Sequence, residues 1–255
     1  MPAKERSLKV EAVVLRHSDW GEADRMLTIF TREQGKMRVV AKGVRRIHSR
    51  KSGHVEPFTH VSLLLHYGKN FWLAVQADAV EPFLNLREDL LRTASAMYCI
   101  ELVDQFTYED SPNQELFNIL CQTVRRLDAQ SDPFIVIRYF EIHLLNTLGF
   151  KPELQECVQC RKTLQPPEQY ISPELGGALC PTCGVFAPAA RQVSLSAFKY
   201  LRHYQRSEFS AAARFTVQKP VRDELETLMN FYLTYLLEHR INSSAFLRSI
   251  ITPPA

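Results

Sequence analysis

Two Cys-x-x-Cys pairs constrain this chain more than any other feature it carries: Cys157-Val-Gln-Cys160, then nineteen residues, then Cys180-Pro-Thr-Cys183. Each pair can present two sulfurs from one tight turn, and two such turns complete a tetrahedron, the spacing of a four-thiolate zinc site. Gly184, directly after the second pair, is expected to let the backbone curl away from the metal. Arg161 and Lys162 stand ready to offset the double negative charge of a Zn(Cys)4 centre. Four protein thiolates leave no open position for water or substrate, so the metal reads as structural rather than catalytic. Two disulfides, or a redox-active pair, are the competing readings. Against them stand the opening MPAKERSLKVEAVVL, which lacks the apolar core of a secretory leader, and two further cysteines, Cys99 and Cys121, in helical patterns. Neither pair is expected to follow a strand and open a helix, as a redox motif would. The expectation is one structural Zn2+ in a protein of the reducing cytoplasm, with Cys99 and Cys121 as small buried hydrophobes.

Hydrophobic periodicity divides the rest of the chain. Residues 8–18, 26–32 and 37–42, the run FTHVSLLLHY after Pro57, and residues 71–80 are short and rich in apolar and β-branched residues. Turn signals around Gly21, Gly35, Gly43 and Gly68-Lys69-Asn70 separate them. Five such strands predict a small barrel of OB type, and spacing alone leaves an SH3-like barrel open. After Pro82 the period becomes helical: Leu86, Leu90, Ala94, Met97 or Tyr98, Leu102 and Phe106, with Asn85 and Glu88 as a capping box. Asp132-Pro133 reads as an N-cap with Pro at N1, opening a long apolar helix that Gly149 and Pro152 end. Residues 194–204 and 222–239 resume the helical pattern. The predicted organisation is a β-barrel over 1–81, a helical domain over 82–154 and 191–250, and a zinc-knuckle insertion over 155–190.

Between Lys36 and His54 lie seven cations (Lys36, Arg38, Lys42, Arg45, Arg46, Arg50 and Lys51), two histidines and no acid. Such a run cannot neutralise itself; it faces water or a polyanion. Trp20, Tyr67, Phe71 and Trp72 fall at strand ends or turns nearby, and cations with stacking aromatics on a barrel are what single-stranded nucleic acid requires. Each aromatic also fits a packing role, Trp72 most of all. A second cluster, Lys199, Arg202 and Arg206, interleaves with Tyr200 and Tyr204 after the cysteine insertion and can serve DNA, a partner or only solvent. The composition, 45% hydrophobic and 23% charged, suits a buried core, and no run approaches the roughly 18 apolar residues of a membrane-spanning helix. No phosphate-binding, dinucleotide, nucleophile-elbow or zinc-protease motif occurs. The acids Asp19, Glu22 and Asp24, and Glu88 with Asp89, fit turns and caps as well as they fit Mg2+, so nothing demands an enzyme.

With these residues in view the chain resembles the bacterial recombination mediators of the RecO family. The resemblance is carried by Glu11-Ala-Val-Val-Leu-Arg16, Gly21-Glu-Ala-Asp-Arg25, Gly35-Lys36, Ala41-Lys-Gly-Val-Arg-Arg46 and Glu56-Pro-Phe58. Arg138-Tyr-Phe-Glu141, Leu148-Gly-Phe-Lys-Pro152 and the cysteine quartet extend it over nearly the whole chain. It implies an N-terminal OB-fold, a helical C-terminal domain and a zinc-ribbon-like insertion. It further implies a non-enzymatic role: binding single- and double-stranded DNA, annealing complementary strands, and assisting RecA to load onto DNA covered by single-stranded DNA-binding protein. The implied partners are RecR, RecF through it, and the C-terminal tail of the single-stranded DNA-binding protein, in a nucleoid-associated setting. The alternative, from another class, is a zinc-stabilised adaptor whose basic loop docks acidic protein surfaces.

Overall fold

The computed structural model describes residues 6–129, 132–165 and 169–251. Alternation of apolar residues builds the first five elements: β1 (Ser7–Trp20), β2 (Asp24–Thr31), β3 (Gly35–Ala41), β4 (His60–Tyr67) and β5 (Trp72–Glu81). Val10, Ala12 and Val14 of β1 share one interior with Leu27 and Ile29 of β2, Met37, Val39 and Ala41 of β3, and Val61, Leu63 and Leu65 of β4. Trp72 packs against this core, as its place in an alternating strand implies.

The strands close in the order β1-β2-β3-β5-β4, the OB-type barrel. Every pairing is antiparallel except a short parallel one, Val39 beside Trp72 and Val40 beside Leu73. β1 closes the ring by pairing with β4 over Ser7–Val13 and with β2 over Ala12–Trp20, and a register break between Val14 and Arg16 bends it from one partner to the other. The β2–β3 turn needs a glycine: Gly35 has φ +72°, and a Cβ there would sit 2.1 Å from the Ser111 carbonyl oxygen.

The helical region begins differently from its periodicity. α1 (Leu84–Glu88) and α2 (Leu90–Phe106) are separate helices, followed by α3 (Gln114–Ala129). The expected Asn85/Glu88 capping box does not form. Asn85 lies inside α1, where its amide donates to Asp128 Oδ2 at 3.2 Å. Asp89 caps α2 instead, accepting from the Arg92 N–H at 2.8 Å. A short acidic side chain that hydrogen-bonds ahead to the backbone favours a cap over a helix interior, so the chain breaks there. Leu86 is buried while Leu90, one turn on, is 61% exposed.

α4 (Pro133–Thr147) starts as expected, Asp132 accepting from the Phe134 N–H at 3.1 Å with Pro133 in the first turn. It is buried on nearly every side, the behaviour of a helix at the centre of a bundle. The ion pair from Arg138 to Glu141, at 2.8 Å, is itself buried.

The insertion then forms β6 (Gln169–Ser172), β7 (Gly177–Leu179), the single turn α5 (Pro181–Gly184) and β8 (Arg191–Val193), a three-stranded sheet ordered β7-β6-β8. Contrary to expectation, the second cysteine pair does follow a strand and open a helical turn, with Cys180 between β7 and α5. Four helices follow: α6 (Leu195–Arg206), α7 (Phe209–Ala212), α8 (Lys219–Leu237) and α9 (Asn242–Ile251). Ser194 caps α6, accepting from the Ala197 N–H at 3.2 Å. The chain divides into two compact units, Met1–Gln130 with Phe246–Ala255, and Ser131–Ala245. Among the described residues no helix is long and apolar enough to cross a membrane.

Candidate metal centre and nucleic-acid interface

The insertion brings Cys157, Cys160, Cys180 and Cys183 together, their sulfurs all within 4.8 Å of one another. Among the described residues this is the one cluster of three or more ligating side chains that can hold a metal ion. A tetrahedron of Zn–S bonds of ~2.3 Å has edges of about 3.8 Å. The Cys160 and Cys180 sulfurs are 3.8 Å apart, and all six cysteines are free thiols. The quartet therefore fits one tetrahedral ion.

Backbone hydrogen bonds shape the site. Cys157 N–H donates to the Lys162 carbonyl at 2.9 Å, and Val158 N–H to Ala178 at 2.9 Å, tying the first turn to β7. Burial alone would raise the Cys157 thiol. The amides of Cys160, Cys180 and Gln159 outweigh it and bring Cys157 down to about 6, which favours the thiolate a metal needs. Cys183 is pushed up to about 12, first of all by the hydrogen bond its thiol shares with the Cys180 sulfur; a metal ion at the centre would take the place of that proton.

The role expected of Gly184 is corrected by the structure. Gly184 is helical, without positive φ; a Cβ there would meet the Tyr170 ring at 2.3 Å, so its smallness serves close packing of α5 on β6. The left-handed residue of the knuckles is Arg161, with φ 61°, directly after Cys160.

The seven cations of the basic stretch meet different fates. Lys36, on β3, is only 13% exposed in its side chain; its ammonium pairs with Asp104 Oδ1 at 3.2 Å and donates to the Asp104 carbonyl at 2.5 Å. Lys51 donates to the Ala74 carbonyl at 2.9 Å, and burial pushes its ammonium down. Arg45 pairs with Asp19 at 3.1 Å and reaches the carbonyls of Gly21 and Glu22. Arg38, Lys42, Arg46 and Arg50 are exposed, with no hydrogen bond or ion pair from their side chains among the described residues.

The connection carrying these residues is anchored rather than loose. Val44 and Val55 enter the barrel core, and His54 Nδ1 accepts from the Ala79 N–H at 2.9 Å. Asp24 accepts from the Gly43 N–H at 2.7 Å, the turn chemistry expected of that acid. Glu56 fixes the far end by bridging Arg25 at 2.6 Å and His17 at 3.2 Å. Burial would lift the Glu56 carboxyl, but the bonds from Arg25 and His17 hold it below the usual carboxylate range.

The aromatics divide in the same way. Trp20, at the β1–β2 turn, and Phe71, at the β4–β5 turn, meet edge to face at 5.8 Å while staying 42% and 40% exposed. Tyr67 meets Trp72 at 5.2 Å. The turns joining strands 1–2 and 4–5 are the rims that OB barrels use for oligonucleotides, and Arg45 clamps the basic connection to the first of them.

In the second cluster, Lys199 and Arg206 are exposed. Arg202 is occupied, its guanidinium bonding the Leu154 carbonyl at 2.8 Å and lying over the Phe198 ring at 4.9 Å. Sequence reasoning missed Asp104, which holds both Lys36 and Arg16 (2.8 Å), because nothing local marks an acid 68 residues from the one and 88 from the other as their partner.

Residues 6–83 match the family described as Recombination protein O N terminal, and residues 87–245 the one described as Recombination protein O C terminal. A "DNA repair protein RecO" from Roseiflexus sp. (strain RS-1) is 40% identical over 247 residues, 97% of this chain and 87% of that protein. One from Dehalococcoides mccartyi is 35% identical over 247 residues, 97% of each. One from Bacillus pumilus is 32% identical over 225 residues, 88% of this chain and 87% of its own.

Proposed function

Because the chain belongs to the RecO family, and so to recombinational DNA repair, we propose that it is a non-enzymatic mediator. It binds single- and double-stranded DNA, anneals complementary strands, and helps RecA load onto DNA covered by single-stranded DNA-binding protein, together with RecR and, through it, RecF. The observation that carries this reading is a set of exposed cations without hydrogen bonds or ion pairs from their side chains among the described residues: Arg38 on β3, and Lys42, Arg46 and Arg50 on the connection after it, which Arg45 clamps beside the exposed Trp20–Phe71 pair.

Cations of this kind displace condensed counterions from two DNA backbones and lower the repulsion that opposes pairing. Aromatic faces hold bases without regard to sequence, at ~1–3 kcal/mol per base. Base pairing itself then selects the partner strand. Lys36, Arg45 and Lys51 support this surface mainly by fixing its shape. The cysteine quartet holds one Zn2+, which braces the insertion; four thiolates leave it no catalytic position. Lys199 and Arg206 offer a second cationic face for DNA or for the acidic tail of the single-stranded DNA-binding protein.

The test is annealing of bare complementary oligonucleotides by the purified protein. A mediator accelerates it, and Arg45→Glu with Arg46→Glu slows it and weakens binding to every DNA sequence alike. A protein-docking adaptor would leave the annealing rate at that of the oligonucleotides alone.

A further inference from the structure

Ile47 crowns the connection between β3 and β4 and is 96% exposed, the most exposed large hydrophobic side chain among the described residues. One exposed apolar side chain is ordinary in itself. The way this one is held is not. Ile47 and His48 are the central residues of a turn closed by Ser49 N–H donating to the Arg46 carbonyl at 2.9 Å, and Arg46 N–H in turn donates to Gly43 at 3.2 Å. On one side the chain is pinned by Val44 in the barrel core and by Arg45 on Asp19; on the other Lys51 is bonded to Ala74. An aliphatic knob is thus presented on a fixed stalk, with the exposed cations Arg46 and Arg50 on either side.

The chemistry of a fitting ligand follows from this shape. It must carry anionic groups along its edge and apolar slots between them. A peptide's apolar side chain seeks a concavity, and a side chain this exposed has none around it. Stacked bases between rows of phosphates provide the slots, and apolar side chains that enter base steps are an established way to unstack them. The same connection is clamped at the turn that carries Trp20, so bases lying on the Trp20–Phe71 pair are the apolar material nearest to hand.

We propose that Ile47 is a wedge that enters a base step of bound DNA while Arg46 and Arg50 grip the flanking phosphates. This rests on the DNA-binding reading of the loop and adds a step preference to it. Pyrimidine–purine steps such as TA open most easily, so they are the ones the wedge enters.

The test uses the full chain and duplexes carrying 2-aminopurine within a TA step or within an A-tract, with affinity measured in parallel by anisotropy. At saturation the wild type raises 2-aminopurine fluorescence, more at the TA step than in the A-tract. Ile47→Leu keeps the rise. Ile47→Ser loses it while weakening affinity by less than about fivefold, because the phosphate contacts remain. Both variants melt with the wild type, the side chain being exposed. A full rise with Ile47→Ser at saturation overturns the wedge and assigns the knob to a protein partner. Tight binding by the wild type without any rise also overturns the wedge but leaves the DNA-binding reading intact. If Arg46→Glu leaves affinity unchanged as well, the DNA-binding reading of the loop falls with it.

Discussion

Seven cations crowd the stretch from Lys36 to Lys51, but among the described residues four of them are exposed with no ion pair from their side chains, and if these four are the phosphate contacts the difference is measurable. Each phosphate neutralised on a single strand contributes about 0.7 to the slope of log K against log salt. Replacing Arg38, Lys42, Arg46 and Arg50 together by Ala should therefore flatten the slope by about 3. Wild-type affinity would then fall roughly 60-fold more than the variant's between 50 and 200 mM salt. Arg46→Ala alone should remove about 0.7. Lys36→Ala is the counter-experiment. Its ammonium is already spent on Asp104, at 3.2 Å and largely out of solvent, so the slope should hold while the melting temperature drops. Arg45→Ala should fall between the two, since Asp19 neutralises Arg45 in part. The assay is fluorescence anisotropy with a labelled oligonucleotide across a salt series, with thermal melts in parallel. The reasoning is refuted if Lys36→Ala flattens the slope as much as Arg46→Ala does, or if the fourfold variant keeps the wild-type slope.

Three further outcomes follow from other parts of the molecule. Cys157→Ser with Cys160→Ser should abolish the one metal ion per chain read by elemental analysis and unfold the insertion, lowering helix and sheet signal by circular dichroism; intact folding with weaker DNA binding would instead make the insertion a contact surface. Gly184→Ala drives a methyl into the Tyr170 ring and should destabilise by roughly 1–3 kcal/mol in denaturant unfolding, as overpacking does. Glu81, hydrogen-bonded by Arg125 and His60, is held below the usual carboxylate range. Its contribution is therefore complete above pH ~4.3 and drains away as pH falls through the folded value. The melting-temperature gap between wild type and Glu81→Gln should narrow from pH 7 toward acid, and a constant gap would contradict this origin.

What the sequence reveals here, and what it hides, divides along the range of the forces involved. Strand alternation, the Asp132-Pro133 start of α4 and the paired cysteines are signals written within a few residues, and the structure realises each of them. The quartet is legible although its halves are nineteen residues apart, because each half is a complete local turn. Gly184 has the right residue type for a knuckle yet serves another purpose, since the Tyr170 ring that demands its smallness comes from β6. Asn85 and Glu88 have capping-box spacing, but α1 already begins at Leu84, so Asn85 lies inside it and bonds Asp128, while Asp89 caps the next helix.

The basic stretch shows the limit most sharply. Lys36 and Arg38 stand two apart on β3, so strand geometry sends both to the same outer face, and no pattern in the sequence separates them. A helix that begins some fifty residues later supplies Asp104 to one and nothing to the other. Charge density along a chain therefore measures how many cations a surface is offered. How many it keeps depends on which acids the fold delivers to it.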